Sequence, residues 1–187
     1  MSENFITKSG KEVFIRPIEN TESDVKAALD FINKIIEEDA MIKRSGDPAT
    51  LEEEKEWVEN TTKKVSQGDE IFLAAFLGER EVGATEITRQ GGRSKHVGTF
   101  GITIAKELRG EGLGRELMRQ ILQEASKIGL THIELHVYEK NEPAIKLYTS
   151  LGFKEVGRRP EAIAYQGKLI TDIIMWLSLE EASGKRP

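Results

Sequence analysis

Hydrophobic and polar positions change their spacing several times along the 187-residue chain, and each spacing predicts a type of element. Alternation with a period of two indicates a strand, whereas a period of three to four residues indicates a helix with one apolar face. The alternating stretches predict strands at residues 12–16, 70–77, 81–88, 96–104, 131–137, 153–159, 162–165 and 168–177. Helical spacing predicts two helices after the first strand and one on each side of the 131–137 strand.

The first two helices precede most of the strands. The first carries four apolar residues on one face, and these are Val25, Leu29, Ile32 and Ile36. Ser23 or Asp24 is placed to cap it. The second covers about residues 51–65, and we interpret its acidic run, residues 52–54, as a solvated helix face.

The strand at 96–104 runs into a glycine-rich turn that opens directly into an amphipathic helix. The apolar face of that helix consists of Leu113, Leu117, Met118, Ile121, Leu122, Ala125 and Ile128. A glycine-rich turn at a helix start leaves backbone N–H groups unpaired at the positive end of the helix dipole. The sequence therefore predicts a binding site for a phosphate or diphosphate at this turn.

The glycine spacing separates three kinds of phosphate-binding loop. A Walker-type loop requires Gly, four residues and then Gly-Lys-Ser/Thr, and the chain contains no such run. A dinucleotide-binding loop requires a third glycine, but counting from Gly110 that position is Arg115, and from Gly112 it is Leu117. The remaining pattern is Arg-x-x-Gly-x-Gly at residues 109–114. It resembles the coenzyme A pyrophosphate loop of the GCN5-related N-acetyltransferase (GNAT) superfamily.

A second stretch, at residues 141–153, resembles the second signature of the same superfamily, Asn-x-x-Ala-x-x-Leu-Tyr-x-x-x-Gly-Phe. Asn141 is suited to cap the helix, Pro143 to its first turn and Gly152 to its C-terminal stop. The signatures follow the family's order, and the resemblance covers about residues 13–179. It implies an α/β fold of the α+β type, in which a central mixed, twisted sheet of about seven strands has helices on both faces. We expect one acetyltransferase domain over residues 1–179 and a frayed tail over 180–187.

The resemblance also implies which residues bind acetyl-CoA as cosubstrate. The turn and the helix start would bind the diphosphate, and the strand before them would offer its backbone to the pantetheine arm. The second signature would add further contacts. The residues implied are Ile102, Thr103, Ile104, Arg109, Gly110, Glu111, Gly112, Leu113, Gly114, Arg115, Asn141, Ala144 and Tyr148.

For the transfer itself, the resemblance gives Tyr148 the role of general acid, because a phenol with a pKa near 10 can protonate a leaving thiolate. The general base stays open. Many relatives have a glutamate at the position of Thr99, which accepts no proton at neutral pH. The branch resembling ribosomal-protein alanine acetyltransferases has its glutamate at the position of His136. His136, Glu134 on the same strand face and Glu86 on an earlier strand are the candidates.

Composition restricts the route of acetyl transfer and the classes of partner. The chain contains no cysteine, so we expect the acetyl group to pass directly to the amine in a ternary complex. Its three histidines lack metal-ligand spacing, and a net charge of −5 argues against nucleic acid as the main partner. We therefore expect no metal. The sequence shows neither a signal-like start nor an apolar run that could cross a membrane, which predicts a cytoplasmic enzyme without membrane partners.

The acceptor is the part of the reaction that the sequence constrains least. The C-terminal region resembles branches that acetylate ribosomal-protein N-termini, polyamines and amino acids. A primary amine on a small molecule (a polyamine, an amino acid or a similar compound) is the first hypothesis, and a protein N-terminus is the second. A third hypothesis is a sensor that binds acyl-CoA without catalysis. A homodimer is left open.

Overall fold

The computed structural model describes residues 3–182 of the chain. They form two compact units. Unit 1 takes the residues up to 87 together with 102–123, and unit 2 takes residues 88–101 and those from 124 onward. The single domain expected over residues 1–179 stays a prediction. Within the described residues, no helix is both long and apolar enough to span a membrane.

Unit 1 combines an antiparallel set of strands with two helices. Its elements are β1 (Glu3–Ile6), β2 (Glu12–Arg16), α1 (Glu22–Glu37), α2 (Leu51–Gln67), β3 (Glu70–Leu77) and most of β4 (Arg80–Arg89). The hydrogen-bonded order is β1-β2-β3-β4, and β2 runs antiparallel to both β1 and β3. The unit also contains the end of β5 (Val97–Ile104) and the part of α3 (Leu113–Lys127) up to residue 123.

Unit 2 contains the start of β5, the end of α3 and the C-terminal elements. These are β6 (His132–Tyr138), α4 (Glu142–Ser150), β7 (Lys154–Tyr165), β8 (Lys168–Ser178) and α5 (Leu179–Ala182). Its strand order is β5-β6-β8-β7. The β5/β6 pair is parallel, and β8 is antiparallel to both of its neighbours.

The apolar face of α3 anchors the start of that helix in unit 1. Leu113, Leu117 and Ile121 are fully buried, and burial of each such side chain contributes about 1.5–3 kcal/mol. A Cβ on Gly83 of β4 would lie 3.4 Å from the Leu117 side chain, so the glycine lets α3 and β4 approach closely. This packing fixes the end of the glycine-rich turn, because the turn leads directly into the buried Leu113.

The mixed α/β architecture is confirmed, with eight strands in the described residues against about seven predicted. The sequence pattern does not predict β1, because this strand is only four residues long and mostly exposed. The predicted break between residues 159 and 162 is wrong, since both stretches belong to β7. A register shift between Arg159 and Ile163 marks the place. Pro160, which has no N–H group, is tolerated there because β7 lies at an edge of the strand order.

The helix caps also correct one expectation. Thr21, rather than Ser23 or Asp24, is the N-cap of α1, and its hydroxyl accepts a hydrogen bond from the Asp24 N–H. The Asp24 carboxylate instead accepts two hydrogen bonds from the Arg16 guanidinium, each 2.6 Å long. Asp24 is therefore buried as one half of an ion pair. The predicted tail begins inside α5, and residues 183–187 lie outside the described part of the chain.

Candidate active site

The turn before α3 has a backbone conformation that glycine permits and other residues rarely adopt. Gly110 has a φ of 78° and Gly112 a φ of 94°, both in the left-handed region. A Cβ on Gly112 would also lie only 3.3 Å from the Cζ atom of Phe5. Both the conformation and the space at residue 112 therefore disfavour a side chain.

The carbonyl side of this turn is held by the turn between β1 and β2. The Lys8 N–H donates to the Glu111 carbonyl at 3.2 Å, and the Lys8 ammonium donates to the Gly110 carbonyl at 2.9 Å. The Ser9 N–H donates to the Glu111 carboxylate at 2.8 Å. This last contact orients the Glu111 carboxylate toward the β1–β2 turn.

The N–H side of the turn is unpaired. Within residues 3–182, the backbone N–H groups of residues 110–114 donate no hydrogen bond to protein. They lie just before α3 and in its first turn, where the helix dipole favours negative charge. Such a set of donors fits the diphosphate of coenzyme A.

Arg109, predicted to contact the cofactor, is engaged by protein groups. Its Nε atom donates to the Ile104 carbonyl at 2.9 Å, and its guanidinium pairs with Glu38 at 2.7 Å. The side chain thus connects the turn with the end of β5 and with the residue that follows α1. Ile102, Thr103 and Ile104, the predicted pantetheine contacts, are half-buried at that end of β5.

Unit 1 also contains a partly open cavity of about 280 Å³. Three aromatic residues line it, Phe31 from α1, Trp57 from α2 and Phe72 from β3. The Trp57 and Phe72 rings meet edge to face, with their centroids 5.3 Å apart. The size and the aromatic walls are those of a site for a small organic molecule.

Three carboxyl groups line the same cavity, Glu54 from α2 and Glu81 and Glu86 from β4. Glu54 and Glu81 are each only 4% exposed, while Glu86 is half-buried. The Oε2 atom of Glu81 is buried and has no hydrogen-bond partner within the described residues. Lys43 and Arg44 line the cavity too, but both are exposed. The buried ionisable groups of the lining are therefore all acidic.

Burial makes these three carboxyl groups hard to ionise. It raises the pKa of Glu81 to about 8, with the Glu54 and Asp24 carboxylates adding to the shift and Arg16 opposing it. Burial and the nearby Glu70 raise the pKa of Glu86 to about 7. Burial also raises the pKa of Glu54. Carboxyl groups that titrate near neutral pH are suited to proton transfer, and a cation beside them stabilises their ionised form.

Sequence reasoning proposed Glu86 but missed the rest of this lining. The interpretation of residues 52–54 as a solvated face is wrong for Glu54, which is buried while Glu52 and Glu53 are exposed. One signal was present, because Glu54 lies four residues before the buried Val58 and so shares its helix face. The pattern places Glu79 in the turn between two predicted strands and Glu81 at the start of the second strand, but it does not show that the Glu81 side chain is buried.

In unit 2, α4 presents Tyr148 within an aromatic cluster. Asn141 caps the helix by accepting from the Ala144 N–H at 3.3 Å, as predicted. Tyr148 is 7% exposed, and its ring centroid lies 6.0 Å from those of Phe100 and Phe153. Burial raises the pKa of Tyr148 well above its usual value. The phenol is therefore protonated at neutral pH.

His136 and Glu134 lie on β6, where their side chains contact each other. The His136 Nδ1 atom is 2.7 Å from Asp172 Oδ2, and its Nε2 atom is 3.4 Å from Glu134 Oε1. Asp172, on β8, is 1% exposed and also accepts hydrogen bonds from Arg159. Both imidazole nitrogens thus face carboxylates. Sequence reasoning missed Asp172 and Arg159, because the contact forms only when β6, β7 and β8 pair.

Comparison with known proteins identifies the family. The family model described as the acetyltransferase (GNAT) family matches residues 32–153, well over half of the chain. The chain belongs to this family. It is an acetyl-CoA-dependent N-acetyltransferase, as the two signatures predicted, and acetyl-CoA is its cosubstrate.

Individual relatives agree with this assignment. YwnH from Bacillus subtilis (strain 168) is 25% identical over 150 residues, which cover 78% of this chain and 87% of YwnH. The [ribosomal protein bS18]-alanine N-acetyltransferase of Escherichia coli (strain K12) is 39% identical over 56 residues, covering 30% of this chain and 38% of that protein. The crystal structure of a GNAT-family acetyltransferase from Streptococcus pneumoniae superposes with a TM-score of 0.79. It is 29% identical and covers 89% of this chain and 99% of that one.

Proposed function

We propose that this N-acetyltransferase acetylates a primary amine of a small cationic molecule, by direct attack on acetyl-CoA in a ternary complex. The acidic, aromatic-lined cavity of unit 1 is the observation that carries the proposal. An ammonium group would complement the buried carboxyls and pair with the free Glu81 oxygen. The chain has no cysteine to carry the acetyl group, which favours direct attack over a thiol intermediate.

Acetyl-CoA would be bound mainly by backbone groups. The N–H groups of residues 110–114 would bind the diphosphate. The backbone N–H groups of residues 102–104 would contact the pantetheine arm. The left-handed conformation of Gly110 and Gly112, and the lack of protein acceptors for the N–H groups of the turn, support the first of these two roles. Arg109 would then act chiefly by holding the turn in shape through Glu38 and the Ile104 carbonyl.

Glu86 is the general base in this proposal. It lines the cavity, and a pKa of about 7 lets it be ionised in part at neutral pH and still accept a proton from an ammonium. His136 is less suited, because both of its ring nitrogens already contact carboxylates, one of them that of Glu134. The neutral amine would attack the thioester carbonyl carbon, and the carbon–sulfur bond would then break.

Tyr148 is the general acid. Its hydroxyl would donate a proton to the departing thiolate, so that free coenzyme A leaves as a thiol. Burial keeps the phenol protonated at neutral pH, so its hydroxyl is available as a donor to the sulfur when negative charge develops there.

A thiol-release assay with a panel of acceptors tests the proposed function. We expect small cationic amines to release coenzyme A thiol from acetyl-CoA at rates well above hydrolysis in buffer. A protein that binds acetyl-CoA but releases no thiol with any amine would instead be the sensor of the third hypothesis.

A protein N-terminus is the second candidate acceptor. The match to the bS18-alanine N-acetyltransferase supports it, although that match covers only 30% of this chain. Peptides that begin with alanine therefore belong in the panel. Thiol release with those peptides and with no small amine would replace the small-molecule proposal by this one.

A further inference from the structure

Two of the cavity carboxyls lie on the same strand. Glu81 and Glu86 are five residues apart on β4, and Ala84 lies between them and also lines the cavity. At about 3.3 Å per residue, their Cα atoms are at most about 17 Å apart. The cavity is thus lined by acidic residues from two separated positions of β4.

The rest of the lining suits a hydrocarbon chain. Phe31, Trp57 and Phe72 come from three different elements, and the last two pack edge to face. Such walls bind methylene groups through burial of apolar surface and attract cations to the ring faces. The lining therefore favours a ligand whose charges are at its ends and whose middle is apolar.

Glu81 would bind an ammonium group but takes no part in the proton transfers of the proposed reaction. It is almost fully buried, and its Oε2 atom has no hydrogen-bond partner within residues 3–182. Glu54, equally buried, interacts unfavourably with it when both are ionised. A buried carboxyl without a partner destabilises the protein, so its place in a ligand-sized cavity indicates that a ligand supplies the partner.

We infer that the acceptor is a linear diamine, with one ammonium group held at Glu81 and Glu54 while the other amine is acetylated beside Glu86. This inference rests on the proposed function. It explains why the cavity has more carboxyls than one amine requires. The other charged groups that act on these carboxyls or line the cavity are Lys43, Arg44, Glu53, Asp24, Arg16 and Glu70.

Calorimetry with the full chain and coenzyme A tests the diamine site. Linear α,ω-diamines of increasing length are compared with monoamines of the same carbon number. We expect the best diamine to bind at least about tenfold more tightly than its matched monoamine, because it adds a buried charge pair. Glu81→Gln should remove that difference. Glu79→Gln makes the same charge change at an exposed position two residues away and should leave the difference intact.

Equal affinity for diamine and monoamine would overturn the inference, as would a preference that Glu81→Gln leaves unchanged. Thiol release separates this failure from failure of the proposed function. If both kinds of amine release thiol equally well, the second ammonium site is wrong and the transfer to small amines stands. If diamines bind in a Glu81-dependent way but release no thiol, the diamine site stands and the transfer is wrong.

Discussion

At the scale of single residues, three buried or half-buried carboxyl groups give the cavity of unit 1 its acidic character. Glu54, Glu81 and Glu86 are held in an environment that penalises their ionised forms. A binding site retains such groups at the expense of stability. This has a measurable consequence at Glu81, because its pKa is raised to about 8, further than the pKa of Glu86.

Glu81→Gln is expected to stabilise the protein, and increasingly so as the pH rises from 5 to 9. The folded state keeps the Glu81 proton up to a pKa of about 8, whereas the unfolded chain loses it near 4.5. Folded protein therefore binds more protons in that range, and its free energy of unfolding falls as the pH rises. At about 1.4 kcal/mol per pKa unit the effect reaches several kcal/mol. Urea unfolding at pH 5 and pH 9 measures it, with Glu79→Gln as the control.

A stability difference that does not change with pH would contradict this account of Glu81. A loss of stability at pH 9 would contradict it as well, since that result would mean that the ionised carboxylate is well paired in the folded protein.

Tyr148→Phe is expected to lower kcat by about 10²–10⁴ while the KM for acetyl-CoA changes little. The substitution removes a general acid, and it keeps the ring that packs against Phe100 and Phe153. Tyr165→Phe, on β7, is the matched control and should leave kcat nearly unchanged. Steady-state thiol release measures both variants. Full turnover by Tyr148→Phe would exclude the phenol from the mechanism.

Residue-level prediction from sequence succeeds where a short motif carries the chemistry. Asn141 caps α4 as the second signature predicts. Prediction from sequence fails for Glu54 and Asp24, because the burial of these residues depends on partners from other elements. Asp172 gives no sequence signal, since its contact with His136 arises from the pairing of β6 with β8.

At the scale of elements, the junction of β5, the glycine turn and α3 is the most constrained part of unit 1. The turn is held on one side by Lys8 and Ser9 and on the other by the buried face of α3. Its shape therefore does not depend on a bound ligand. This predicts a site that is preorganised for acetyl-CoA.

Gly112→Ala is expected to weaken acetyl-CoA binding by about tenfold or more and to destabilise the protein by about 1–2 kcal/mol. Alanine disfavours the φ of 94° that residue 112 adopts, and its Cβ would also contact Phe5. Gly129→Ala is the control, because it has a similar positive φ and open space around the new Cβ. Calorimetry with acetyl-CoA and urea unfolding measure the two effects. Unchanged affinity in Gly112→Ala, with the expected loss of stability, would exclude the turn from cofactor binding.

Element boundaries follow from the sequence where alternation and caps are local. The pattern places β3 correctly at residues 70–77, and the predicted 81–88 strand falls within β4. It splits β7 in two, because Pro160 imitates a strand end and only the edge position of β7 tolerates it. It omits β1, whose pairing with β2 rather than its own pattern makes it a strand.

For the whole molecule, the sequence predicts the reaction but leaves the acceptor open. Each of the two signatures is a contiguous segment, so it can be recognised in the sequence without the structure. Together they predict the family and the cosubstrate. The cavity is assembled from α1, α2, β3, β4, the end of β5 and the segment between the two helices. No local pattern joins these parts, so the acidic lining emerges only from the folded unit 1.

The pH dependence of thiol release by wild-type protein and Glu86→Gln tests the central claim most directly. With a small cationic amine as acceptor, wild-type kcat/KM should rise with pH through about 7, because Glu86 must lose its proton to act as a base. In Glu86→Gln that limb should disappear and the rate should fall by about 10²–10⁴, while His136→Ala should keep the limb. An unchanged limb in Glu86→Gln, or its loss in His136→Ala, would contradict the account and move the base out of the acidic cavity.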